Sequence, residues 1–224
     1  MKTRKPMLAL MAGAFLFSFA TLSACKSCDT TPYAETSTTP KPAESPSAEI
    51  PQGQPQRLDI AARFVASGWM GDGKILGAKH IQLDEAWKEK PHSTPICIRV
   101  RYTPGPDGWA GIYWQNKPDN WGDWSGEDFR RVGYKRLTFW ARGETGGELV
   151  EFKAGGINAP GKQFRDSFEV SAGRIALDRE WRQYEINLEG KDLSNVIGGF
   201  CWVTSKTANE RGLMFYLDDI YYEP

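Results

Sequence analysis

The sequence is short of the groups on which most catalytic chemistry depends. Among 224 residues there are only two histidines, His80 and His92. A zinc centre or a His-based triad has little to draw on. No charge of either sign dominates, with 28 basic against 28 acidic side chains, so an electrostatic nucleic-acid binder is not indicated. Gly and Pro together make about a sixth of the chain, which is turn-rich but far from collagen-like. No repeat of about 20–50 residues recurs, which disfavours a propeller or solenoid. A convincing amphipathic helix of three turns is also missing; Asp84–Lys90 and Asp192–Val196 could each make a single turn. What the chain does have is tryptophan: nine of them.

The first 24 residues read as an export signal. Lys2, Arg4 and Lys5 precede an uncharged apolar run from Met7 to Leu22, too short for the roughly 20 residues of a spanning helix. Leu22-Ser23-Ala24-Cys25 resembles the bacterial lipobox. The resemblance implies cleavage before Cys25, a diacylglyceryl thioether on its sulfur and an acyl group on the new amino terminus, which together give durable anchoring. Lys26 stands where an inner-membrane retention Asp would be, as in outer-membrane lipoproteins. Loss of the signal removes three positive charges and leaves a net charge of about −3, so the lipid and not a polybasic patch would hold the membrane.

Residues 25–57 are rich in Thr, Ser, Pro, Ala, Glu and Gln, with too little apolar surface to offset chain entropy. This stretch, which includes Cys28, is expected to be a disordered tether. From residue 58 to 224 the pattern changes to period-2 runs separated by Gly, Pro, Asn and Asp. Ile96–Tyr102, Trp109–Gln115, Leu137–Arg142, Val150–Ala154, Tyr184–Leu188, Phe200–Ser205 and Leu213–Tyr222 are strand candidates. Arg63–Met70, Ile75–Leu83 and Phe168–Leu177 are weaker ones. Gly143-Glu144-Thr145-Gly146-Gly147 reads as a hairpin connection. About ten strands predict an all-β domain, a two-sheet jelly-roll β-sandwich, with a barrel as the alternative.

Alternation gives each strand two faces. Ile96, Ile98, Val100 and Tyr102 form one apolar set, as do Leu137, Phe139 and Ala141, and Val150, Phe152 and Ala154, and Tyr184, Ile186 and Leu188. The opposite set contains Arg99, Arg101, Trp140, Arg142, Glu151, Lys153 and Glu185. It is either a solvated outer face or a sheet face that hydrogen-bonds a polar ligand. The segment from Trp109 to Trp124 packs Trp109, Tyr113, Trp114, Trp121 and Trp124 among Asn, Asp, Gln and Gly. Indole offers a flat apolar surface to the C–H face of a sugar, and neighbouring amides and guanidiniums can bond its hydroxyls. The competing reading is a loop whose tryptophans plug the sandwich edge.

The domain resembles the galactose-binding-like β-sandwiches that occur as carbohydrate-binding modules in bacterial polysaccharide-degrading systems. The residues that carry the resemblance are Ser67-Gly68-Trp69-Met70-Gly71-Asp72, Trp140-Ala141-Arg142-Gly143, Trp181–Leu188 with Asp192-Leu193-Ser194, and the closing Phe215-Tyr216-Leu217-Asp218-Asp219-Ile220. The resemblance implies glycan binding without chemistry. It also implies one structural Ca2+ held by Asp218 with an early acid, Asp72; otherwise Asp218 and Asp219 cap a strand or pair with Arg. The residues expected to bind a polysaccharide are Tyr113, Trp114, Trp121, Trp124, Trp140, Arg99, Arg142 and Glu151. Two other functions remain open: an envelope scaffold whose tryptophans anchor a partner protein, and a glycoside hydrolase or lyase using Glu151 and Glu185. Cys97 and Cys201 are either bridged or two separate thiols.

Overall fold

The computed structural model describes residues 56–74 and 79–224. The expected signal, the lipobox Cys25, and the expected tether through residue 55 lie outside the described residues. Among the described residues there are eleven strands. These are β1 (Leu58–Asp59), β2 (Val65–Gly71), β3 (Ile81–Trp87), β4 (Cys97–Tyr102), β5 (Trp109–Gln115) and β6 (Arg136–Gly143). They continue with β7 (Leu149–Gly155), β8 (Glu169–Ala176), β9 (Arg182–Asn187), β10 (Gly198–Ser205) and β11 (Leu213–Glu223). One helical turn, α1 (Ile60–Arg63), separates β1 from β2. Asp84–Trp87 is the end of β3 and not a helical turn.

The strands divide into two antiparallel sheets. One runs β3-β4-β11-β6-β9 with β1 added to β11; the other runs β2-β5-β10-β7-β8. Most connections cross between sheets, which is the two-layer jelly-roll arrangement and not a barrel. The Gly143–Gly147 loop is one such crossing. It joins β6 of the first sheet to β7 of the second, so the expected hairpin there is replaced by an inter-sheet corner. Its glycines at 146 and 147 take φ of +83° and +89°, which the turn requires.

The core lies between the sheets and is filled by the apolar parity of each strand. Ile98, Val100, Tyr102, Leu137, Phe139, Ala141, Val150, Phe152, Ala154, Ile186 and Leu188 are all buried there. Tyr184 packs against that core while partly exposed. Ile96 lies just before β4 and is exposed.

Trp114 and Trp202 supply the largest enclosed side chains. Trp114 shares its parity with Ala110 and Ile112, and its ring meets Phe200 edge-on at 5.5 Å. This corrects the expectation that Trp114 faces a ligand: on a strand of that parity, burial of a whole indole is the larger gain.

The two described cysteines are unbridged. Cys97 is on β4 of the first sheet and Cys201 on β10 of the second, where Cys201 joins a small apolar cluster with Tyr113 on the outer side. Burial pushes the Cys97 thiol up to about 11.

Trp114→Ala is expected to lower the unfolding free energy by about 3–5 kcal/mol, as for other large-to-small core truncations, read from denaturant midpoints at unchanged m.

Candidate functional site

The outer faces of the two sheets differ. On the second sheet, the tryptophan-rich segment folds back as a cover. Tyr113 sits under Trp121, ring centroids 6.1 Å apart and perpendicular, with Ile157, Ile197 and Cys201 around it. The amides interleaved with these rings build the loop itself. Asn120 is fully buried. Its Oδ1 accepts from the backbone N–H of Gly122 (3.0 Å) and Trp124 (3.1 Å). Its Nδ2 donates to Asn116 Oδ1 (2.9 Å) and to the Trp124 carbonyl (3.0 Å). Gln115 Nε2 donates to the Asn120 carbonyl (2.8 Å), and Ser67 Oγ donates to Gln115 Oε1 (2.7 Å). Asp123 is paired with Lys162 at 2.7 Å. Such a network leaves few free groups for a sugar. Of the expected ligand residues here, Tyr113 is buried and Trp121 half-buried, and Trp124 alone stays open, at 49% exposure. Glu151 is also on this sheet's outer face, where Ser171 Oγ donates to it (2.8 Å).

The first sheet carries the cleft. Its outer parity aligns across the strands by register. Asp84, Arg99, Tyr216 and Arg142 form one row over β3, β4, β11 and β6. The next row runs from Trp87 beside Cys97 to Asp218 beside Trp140 and then Gln183. Arg99 lies over the Trp87 ring at 3.7 Å. Arg142 lies over Tyr216 at 3.9 Å and over Trp181 at 5.5 Å. Trp87, Pro91, Arg142, Trp181 and Tyr216 enclose a cleft of about 260 Å3, rimmed by exposed charged side chains. An adjoining hollow of about 470 Å3 shares Glu144 and continues past Arg101 and Arg211.

Of the residues expected to bind a glycan, Arg99, Arg142 and Trp140 lie on this face. Trp87, Trp181 and Tyr216, which were not among the expected ligand residues, line the cleft as well. Tyr216 was discoverable: in β11 it alternates with the core residues Phe215 and Leu217, on the parity of Asp218. The Tyr216 hydroxyl, pushed up to about 12 by burial and by the Glu144 carboxylate, donates to Glu144 Oε2 at 2.7 Å.

Residues 88–94 fold across this face and are pinned to β11. Asp218 accepts from the His92 backbone N–H (2.9 Å) and from Asp219 N–H (2.9 Å). Asp219 Oδ2 pairs with His92 Nδ1 (2.8 Å) and accepts from Ser93 Oγ (2.6 Å). The His92 ring stacks on Trp140, centroids 3.7 Å apart, and so covers one face of that indole. Trp181 Nε1 donates to the Lys90 carbonyl at 3.0 Å, tying the same segment to the cleft wall. Burial raises the Asp218 carboxyl, whereas the Ser93 and His92 hydrogen bonds outweigh burial at Asp219 and lower it.

The structure does not bring Asp72 and Asp218 together. Asp72 is buried near Tyr102, at the far end of β4 from Ile98, which pairs with Leu217 beside Asp218. Four residues of strand separate those ends, about 13 Å. Asp72 already accepts from the Tyr102 hydroxyl (2.8 Å) and the backbone N–H of Gly105 (2.9 Å) and Asp107 (2.8 Å). Burial opposes its charge, but these donors prevail and hold the carboxyl below its ordinary value. A Ca2+ shared by this pair does not fit, and among the described residues no group of three or more His, Cys, Asp or Glu converges. Glu151 and Glu185 lie on the outer faces of different sheets, with the whole sandwich between them, so they cannot serve one glycosidic bond.

No family model matches the chain, and no curated protein matches it. Among solved structures, it is similar to the family 11 carbohydrate-binding module from Clostridium thermocellum in complex with a β-1,3-1,4-mixed-linked tetrasaccharide. That likeness has 17% identity, covers 75% of this chain and 94% of the other, and has a TM-score of 0.48. A family 30 carbohydrate-binding module of a Clostridium thermocellum cellulosomal cellulase is similar at 14% identity, over 70% of this chain and 91% of the other, with a TM-score of 0.46. A mutant of a family 29 carbohydrate-binding module is similar at 12% identity, over 75% and 91%, with a TM-score of 0.38.

Asp219→Gly keeps the left-handed backbone but removes the carboxylate that holds His92 and Ser93. Amide hydrogen exchange across residues 88–94 is expected to accelerate, while the core strands keep their protection.

Proposed function

We propose that this domain binds a glycan, without chemistry, in the cleft between Trp87, Arg142, Tyr216 and Trp181. The observation that carries the reading is the lining of that cleft: a guanidinium close to two aromatic rings, 3.9 Å from the centre of Tyr216 and 5.5 Å from that of Trp181. The half-buried indoles of Trp87 and Trp181 supply apolar surface for sugar C–H groups. The charged rim supplies donors and acceptors for hydroxyls. At about 260 Å3 the cleft is near the lower end of ligand pockets, which run to about 300–1,000 Å3, and the adjoining hollow gives a chain room to continue.

The lipobox reading places this module on a membrane through acyl chains on Cys25, with the Thr/Ser/Pro-rich segment as spacer. Lys26 favours the outer membrane of a two-membrane bacterium.

Affinity electrophoresis through polysaccharide gels tests the binding site. Trp181→Ala is expected to weaken retardation by about five- to a hundredfold, the effect of losing one aromatic platform worth about 1–3 kcal/mol. Trp124→Ala is expected to leave it unchanged. The reverse outcome would move the site to the loop on the other sheet, and retardation on no glycan would favour a protein partner.

The anchor is tested separately. Cys25→Ala is expected to abolish incorporation of labelled fatty acid and to shift the protein from the detergent to the aqueous phase on partitioning.

A further inference from the structure

Arg142 is unusual for a charged group. Its side chain is only 10% exposed, and its Nε is buried with no hydrogen-bond partner among the described residues. The nearest ion-pair contact is Nη1 to Glu144 Oε2 at 4.0 Å, beyond hydrogen-bond range. That same oxygen already accepts from the Tyr216 hydroxyl, and the Glu144 side chain is 44% exposed. Asp218, two residues along β11 on the same face, spends its oxygens on the N–H groups of His92 and Asp219. The neighbouring Tyr216 and Trp181 rings attract the guanidinium but accept none of its in-plane N–H donors. With Nε orphaned and no carboxylate in hydrogen-bond range, the enclosed guanidinium lacks the anion that would offset its desolvation.

We infer that the cleft selects an acidic glycan, and that Arg142 receives the carboxylate of a hexuronate unit. This rests on the glycan reading of the cleft. A sugar hydroxyl would satisfy one donor and leave the charge uncompensated. A carboxylate does both, because its two oxygens match the planar fork of the guanidinium. The three acids on the rim, Glu89, Glu144 and Glu180, are exposed and water-screened, and Lys90 and Arg179 are interspersed with them. The unscreened charge on the floor is the positive one.

The test uses the full mature chain in nonionic detergent. Retention is measured on polygalacturonate and alginate, on the same polymers after chemical reduction of their carboxyl groups, on mixed-linkage β-glucan and on dextran sulfate. The expected result is retention on a uronate polymer that falls at least about tenfold on its carboxyl-reduced form. Arg142→Lys, which keeps the charge but loses the fork, should lie between wild type and Arg142→Gln, which should not bind. The carboxyl-reduced polymer probes the same contact without altering the protein's fold. Equal retention of native and reduced polymers overturns the inference, as does retention on β-glucan or dextran sulfate alone, and in those cases the glycan reading survives. Retention on none of the polymers overturns both.

Discussion

The site depends on one extra residue in the middle of β11. Phe215 and Leu217 face the core, then Ile220 and Tyr222 do, so the inward spacing runs two, three, two. The register shows the same insertion: Asp218 pairs with Trp140 and Tyr221 with Thr138, three steps on β11 against two on β6. Asp219 absorbs the bulge with φ of +52°, a left-handed conformation that Asp tolerates better than most residues. The bulge turns two adjacent carboxylates outward at one point. Those carboxylates are what fasten residues 88–94 across the sheet, and that segment helps to wall the cleft. If β11 kept strict alternation through this point, Asp219 and Tyr221 would point into the core in place of Ile220 and Tyr222.

Much of the architecture was legible because, bulges aside, the core is built by alternation. The apolar triplets of β4, β6 and β7 went where their parity sent them. The tryptophan-rich segment misled for a physical reason. Density of aromatics and amides is common to a ligand surface and to a self-satisfied loop, and only three-dimensional pairing separates them. Gln115, Asn116 and Asn120 bond to each other and to backbone, which no one-dimensional pattern displays. Trp114 was the exception, since its shared parity with Ala110 and Ile112 already argued for the interior.

The cleft residues were harder to see because they are far apart in sequence and each is alone in its neighbourhood. Trp87 ends β3, Arg142 nears the end of β6, Trp181 precedes β9 and Tyr216 is mid-β11. They meet only because β4 and β6 both flank β11, and because Lys90 offers its carbonyl to the Trp181 indole. Likewise, Asp72 and Asp218 resembled a metal pair by residue type, but each had been claimed by local hydrogen-bond donors. A carboxylate saturated by N–H and O–H groups is a structural anion, whatever its resemblance to a ligand.

The pairing of β1 with the end of β11 has a mechanical side. Leu58 lies against Tyr222 and Asp59 against Tyr221, so the chain enters the domain alongside the strand that completes it. Any tension drawn through residue 57 therefore meets this ladder first, and only after it parts does the load pass through α1 to β2 at the edge of the second sheet. A ladder of only two residues would part well before that strand is displaced, which makes it a weak fuse between pulling force and the cleft.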